Sequence, residues 1–214
     1  MKKIAHHPDV STLMTCAAGS QPEALCAVVA SHLAVCPKCM SEVSRLEKIG
    51  VALFEKLDPE PVALDAPLAA VKTVAESASD QCEIHRPEGD VPAPLVALIG
   101  PWLDQIDWRP LGADVWHFPI ALSKTAQGDL RLVNIFPGLA LPKYATKGEE
   151  LALVLRGKCR DDLNTLGPGD FIDRDTSTHQ VLRADDTLGC ILLIATDAGL
   201  RFGEPQLPPA GRFS

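Results

Sequence analysis

The sequence predicts an α+β chain of two unlike halves, a small helical domain of three to four helices followed by an all-β barrel or sandwich. Three observations carry this. Residues 1–57 keep helical periodicity almost throughout. From residue 94 onward the apolar residues fall in short runs broken by Gly, Pro, Asp and Asn, the grammar of close-set strands. Between the halves, DPEPVALDAP and RPEGDVPAP are proline-rich and acidic, as linkers are. The expected division is a helical domain at 1–85, a linker at 86–93 and a β domain at 94–214.

Within the helical half, Pro8 suits the first turn of a helix running to Ala18, with Gly19 as its stop. Ser20 and Glu23 have the spacing of a capping box opening a second helix. Leu25, Val28, Val29, His32 and Leu33 form that helix's core-facing stripe, and Pro37 ends it. A long third helix follows, with Met40, Val43, Leu46, Ile49, Leu53 and Phe54 along one side, and residues 68–77 suit one more short helix. In the second half the strand candidates are ADVWHFPIAL, DLRLVNIF, LALVLRG, DFIDRD, HQVLRA and CILLIAT. Trp102, Trp108 and Trp116 read as core.

Composition removes several function classes. At 46% hydrophobic and 22% charged, the 214-residue chain can bury a real core. A net charge of −8 argues against a nucleic-acid-binding face, which needs clustered Lys and Arg, and suits a basic protein partner. No apolar run approaches the roughly 20 residues that span a bilayer. Seven cysteines, an odd number, follow a start that lacks a signal peptide's apolar stretch, so a cytoplasmic protein with reduced thiols is expected.

The chemistry concentrates in HLAVCPKC, residues 32–39. Cys36 and Cys39 form a C-x-x-C pair, open to three readings: a redox dithiol, half of a metal site, or two core cysteines. Cys36 precedes Pro37 at the break between helices, and Cys39 falls in the next first turn, where a helix N-terminus favours thiolate. His32 lies on the buried stripe and can converge with both sulfurs. No βαβ pattern supports a redox motif. A structural zinc site closes with four ligands, and the fourth is sought upstream at His7, with His6 beside it; taken alone, His32 also suits a hydrogen-bonded core histidine.

At this point HHPDVSTLMTCAAGS and HLAVCPKCMSEV resemble the zinc-binding domain of bacterial anti-sigma factors, and the two halves together resemble ChrR-type anti-sigma factors over nearly the whole length, CILLIATDAGLRF included. The resemblance implies four N-terminal helices that hold one zinc and clasp an extracytoplasmic-function sigma factor, keeping it from RNA polymerase. It places the zinc ligands on His7, His32, Cys36 and Cys39, with His6 a solvated or supporting neighbour.

Residues 138–157, GLALPKYATKGEELALVLRG, resemble the first motif of a cupin, a double-stranded β-helix or jelly roll. Gly138, Glu150 and Gly157 fit its spacing, but Tyr144 and Thr146 stand at its two histidine positions. A second motif retains the turn Gly167, Pro168, Gly169, Asp170 and then His179. Tyrosine and threonine are poor metal ligands at neutral pH, so no second metal is expected in this degenerate site. An organic ligand in the barrel, or a hydrogen-bonded Glu150 and His179, are the alternatives there. Cys159 and Cys190 read as buried structural cysteines.

These readings converge on a transcriptional regulator rather than an enzyme: a zinc anti-sigma domain with a cupin-like sensory or accessory module, which the resemblance ties to oxidative stress. The alternatives are a cupin metalloenzyme of dioxygenase or hydrolase type, and a small-ligand-binding cupin with a helical zinc appendage. Loss of both motif histidines counts against the enzyme, whose chemistry needs open metal positions.

Overall fold

The computed structural model describes residues 3–58, 88–112, 115–141, 144–145, 148–174, 181–198 and 201–202. The short helix expected at 68–77 lies outside them, as do Thr146 and His179. The described residues form four helices, α1 (Val10–Ala17), α2 (Glu23–Leu33), α3 (Pro37–Phe54) and α4 (Ala93–Ile99), followed by eleven short strands.

Local chemistry explains most helix ends. Asp9 caps α1 by accepting from Thr12 N at 2.7 Å, so Pro8 lies just outside the helix. Gly19 follows at φ +64°, the left-handed conformation that ends helices at glycine. The expected capping box at Ser20 and Glu23 does not form. Pro22 is the N-cap of α2, the Ser20 hydroxyl turns back to the Thr15 carbonyl, and the Glu23 carboxylate accepts from Ser123 N (2.8 Å) and Oγ (2.5 Å) across the molecule. Cys36 is the N-cap of α3 and Pro37 its first residue, as the sequence predicts.

The main sheet is antiparallel, with strand order β1-β2-β3-β10-β5-β8: β1 (Arg109–Gly112), β2 (Val115–Pro119), β3 (Asp129–Ile135), β10 (Cys190–Thr196), β5 (Glu150–Gly157) and β8 (Phe171–Arg174). A three-stranded sheet of β7 (Thr165–Leu166), β6 (Cys159–Arg160) and β9 (Arg183–Ala184), and a pair β4 (Tyr144–Ala145) with β11 (Arg201–Phe202), complete the β half. β1 escaped the sequence reading because Pro110 argues against a strand. It is tolerated because β1 is an edge.

CILLIAT is apolar at every position because β10 is covered on both faces, and all seven of its residues are buried. On one face Val133, Ile135, Ala152, Val154, Leu192 and Ile194 pack with Leu166, Leu182 and Ala184 to fill the barrel. The other face, with Leu130, Leu132, Leu151, Leu153, Leu193 and Ala195, joins Leu25, Val28 and Val29 of α2 and Leu95 of α4 in one continuous core. The α2 stripe therefore faces the sheet. Motif glycine Gly157 has φ +76°, and a Cβ there would lie 2.2 Å from the Gly189 carbonyl oxygen, which excludes any side chain.

One core expectation fails, and the apolar side of α3 is largely open. Trp102 is 43% exposed. On α3 only Cys39 and Val43 are buried, while Met40, Ile49, Leu53 and Phe54 are exposed, Phe54 to 74%. The helix has an apolar side, but no described element covers its C-terminal half.

Leu25→Ala should cost about 2–5 kcal/mol, because the fully buried side chain touches both helix and sheet neighbours. Chemical denaturation of the full chain checks this, and a cost under about 1 kcal/mol would contradict the shared core.

Candidate metal centre

The break between α2 and α3 sets the site. His32 is in the last turn of α2, Cys36 caps α3 and Cys39 sits one turn later. His7 arrives from the N-terminal segment ahead of α1. One ligand atom from each of these four residues falls within 4.8 Å of the others. His7 Nδ1 lies 3.5 Å from Cys36 Sγ and 3.4 Å from Cys39 Sγ. A tetrahedral ion with Zn–S of about 2.3 Å and Zn–N of about 2.0–2.1 Å requires N···S edges of about 3.5 Å, so these spacings fit zinc.

The protein orients the second imidazole from behind. His32 is fully buried, and its Nδ1 is 2.9 Å from the Gly169 carbonyl oxygen. A carbonyl only accepts, so Nδ1 carries the proton and Nε2 keeps its lone pair. That Nε2 is buried and has no hydrogen-bond partner. An orphaned buried acceptor among two thiols and another imidazole fits a metal ligand. Phe171 braces the ring edge-on, with centroids 5.5 Å apart.

Two influences oppose each other at Cys39. The helix N-terminus favours its thiolate, while burial, with a hydrogen bond to Cys36 adding to it, pushes its pKa up to about 12. Desolvation of a thiol that is 2% exposed outweighs the partial charge of a helix end. Burial also lowers His32 to about 4 and lowers His7, the latter helped by Lys38, so both imidazoles are neutral and ready to coordinate near neutral pH.

The degenerate cupin site is only partly described. Tyr144 lies on β4, its backbone paired with Phe202, and Thr146 and His179 fall outside the described residues. Glu150 is buried, and cross-strand register sets it between Arg174 on β8 and Thr196 on β10. The Arg174 guanidinium is 3.7 Å from its carboxylate. A permanent cation thus stands beside the surviving motif carboxylate. Arg174 was invisible to the sequence reading because it belongs to no ligand pattern. Cys159 and Cys190 are both buried, their thiols hydrogen-bonded to each other, and burial together with that bond raises the Cys190 thiol far above its ordinary range.

No protein-family model matches the chain. It is 33% identical over 199 residues, covering 93% of its own length and 92% of the relative's, to the anti-sigma-E factor ChrR of Cereibacter sphaeroides. It also superposes on a chain from the crystal structure of Rhodobacter sphaeroides SigE in complex with the anti-sigma ChrR, with a TM-score of 0.76 and 31% identity over 91% of this chain and all of that one. A more distant likeness, to KdgF from a Halomonas species, has a TM-score of 0.38 and 15% identity over 44% of this chain and 89% of that one.

With burial raising the Cys39 thiol, zinc binding should displace protons. Apparent affinity should therefore rise with pH across about pH 6 to 8, by roughly ten- to a hundredfold per unit for one or two protons released. Competition titrations with a chromophoric chelator measure this. An affinity independent of pH would contradict the raised Cys39 thiol.

Proposed function

We propose, for a chain that belongs to the ChrR family of anti-sigma factors, that its zinc-bound helices bind an extracytoplasmic-function sigma factor and withhold it from RNA polymerase. The observation that carries this reading is the likeness over nearly the full length to ChrR, whose solved structure is a complex with a sigma factor. The metal cluster and the uncovered apolar side of α3 support it independently.

The roles of the chain's own residues follow from the geometry. Cys36 and Cys39 hold the start of α3, His32 the end of α2, and His7 the segment entering α1. When bound, zinc supplies a closed four-ligand link among these three points, worth on the order of 10 kcal/mol in small zinc domains. Exposed Val10 and Met14 on α1 with Met40, Ile49, Leu53 and Phe54 on α3 offer the apolar surface for the sigma factor, since α1 packs against α3. An acidic chain with a net charge of −8 suits a basic partner.

The cupin-like barrel serves as an accessory or signal-responsive module, within the division 1–85, 86–93 and 94–214. The Glu150–Arg174 ion pair favours a barrel without a second metal, which leaves a small organic ligand as its possible occupant. It also disfavours a cupin metalloenzyme, and the chain acts as a regulator. A cytoplasmic setting and a link to oxidative stress follow from the resemblance to the family. No described helix is long and apolar enough to cross a membrane.

Cys36→Ser should lower zinc affinity by more than about 100-fold and abolish sigma-factor binding with it. Zinc analysis and calorimetric titration with the sigma factor read both. Full sigma-factor binding by a metal-free variant would refute the proposal.

A further inference from the structure

The four ligands are held from two sides. Helix α3 holds the thiols, through Cys36 at its N-cap and Cys39 in its first turn. The imidazoles are held by three consecutive barrel residues. The Gly169 carbonyl accepts from His32 Nδ1 at 2.9 Å. Asp170 Oδ1 accepts from the backbone N–H groups of Ala5 (2.7 Å) and His6 (2.9 Å). Phe171 N donates to the His6 carbonyl at 3.1 Å, so both backbone polar groups of the residue before His7 are fixed by the barrel.

The turn that does this is itself bolted down. Asp170 Oδ2 accepts from Gly167 N at 2.8 Å, Gly169 N donates to the Val154 carbonyl at 2.8 Å, and Val154 N donates to the Asp170 carbonyl at 3.1 Å. Gly169 has φ +87°, and a Cβ on it would lie 2.7 Å from Ile4 Cδ1, so the N-terminal segment rests directly on the glycine. Asp170 is 3% exposed and has no solvent route to replace these partners.

We infer that Asp170 is a positioning residue for the metal centre, and that the turn at residues 167–170 couples the barrel to metal retention through the two imidazoles. This rests on the reading of His7, His32, Cys36 and Cys39 as zinc ligands. A shift of the turn changes where His7 and His32 point while leaving both thiolates in place. Any event in the barrel that moves β8 or the β5 edge therefore reaches the zinc at its nitrogen ligands first.

The test uses the full chain with Asp170→Ala, Asp170→Asn and Thr12→Val. Thr12 makes another contact between the helices and the barrel, to Asp173 Oδ2 at 3.3 Å, and its side chain otherwise meets Asp9 at the cap of α1, after the segment that Asp170 holds. Zinc release to a chelator is timed, and cobalt-substituted protein gives the ligand-field and thiolate charge-transfer bands. Asp170→Ala should speed release about 10- to 100-fold. It should shift the ligand-field bands as His7→Ala does, with the thiolate bands kept. Asp170→Asn keeps one side-chain oxygen and should fall between Asp170→Ala and wild type, while Thr12→Val should match wild type. If wild type takes up one metal ion and both Asp170 variants match it, or if Thr12→Val shows the same change, the inference fails alone. If wild type takes up neither metal, the zinc reading fails and the inference with it.

Discussion

A buried imidazole with one nitrogen committed to a backbone carbonyl is the constraint from which the arrangement follows. His32 cannot be reached by water, and Gly169 takes its Nδ1 proton. Its Nε2 is then left facing Cys36, Cys39 and His7 with nothing else to bind. Leaving such an acceptor unsatisfied costs about 1–3 kcal/mol, and metal coordination removes that cost. The corner between α2 and α3, the entry of α1 and the barrel turn all take their positions from this ring.

The same geometry explains why a small helical half would gain from both a metal and a barrel. Helix α1 has eight residues and α2 eleven, too short to be stable by helix propensity alone. Helix α2 gains its core by laying Leu25, Val28 and Val29 on the outer face of β5 and β10. Helices α1 and α3 bury much less, and the ligands at their starts compensate. The apolar side of α3 is left for a partner, which is how a domain with a marginal core can hold its shape and still offer an adhesive surface.

How far the sequence is legible follows from the range of each interaction. The clustering of His32, Cys36 and Cys39 reads well because the three are spaced around one helix break, a local pattern. The stripe on α2 and CILLIAT in β10 read for the same reason. The partners of the imidazoles do not: Gly169 is 137 residues from His32, and Asp170 is 164 residues from His6. Nothing in the GPGD turn announces that its carboxylate will receive backbone N–H groups from the far end of the chain. Periodicity likewise could not tell a core face of α3 from a docking face, since both want the same residues at the same spacing. The capping box does not form because the Glu23 carboxylate bonds Ser123 instead, again 100 residues away.

In the barrel, loss of the motif histidines was legible, but the cation beside Glu150 was not. Arg174 is set opposite Glu150 by strand register, and register emerges only from the folded sheet. A fixed guanidinium charge next to the motif carboxylate makes this barrel electrostatically unlike a metal-binding cupin, and shifts attention to its contacts with the His7, His32, Cys36 and Cys39 cluster. X-ray absorption at the zinc edge of the full-length protein tests the account most directly. It predicts one zinc per chain with two sulfur and two nitrogen neighbours. A first shell of only sulfur, or one containing oxygen in place of an imidazole, would contradict it.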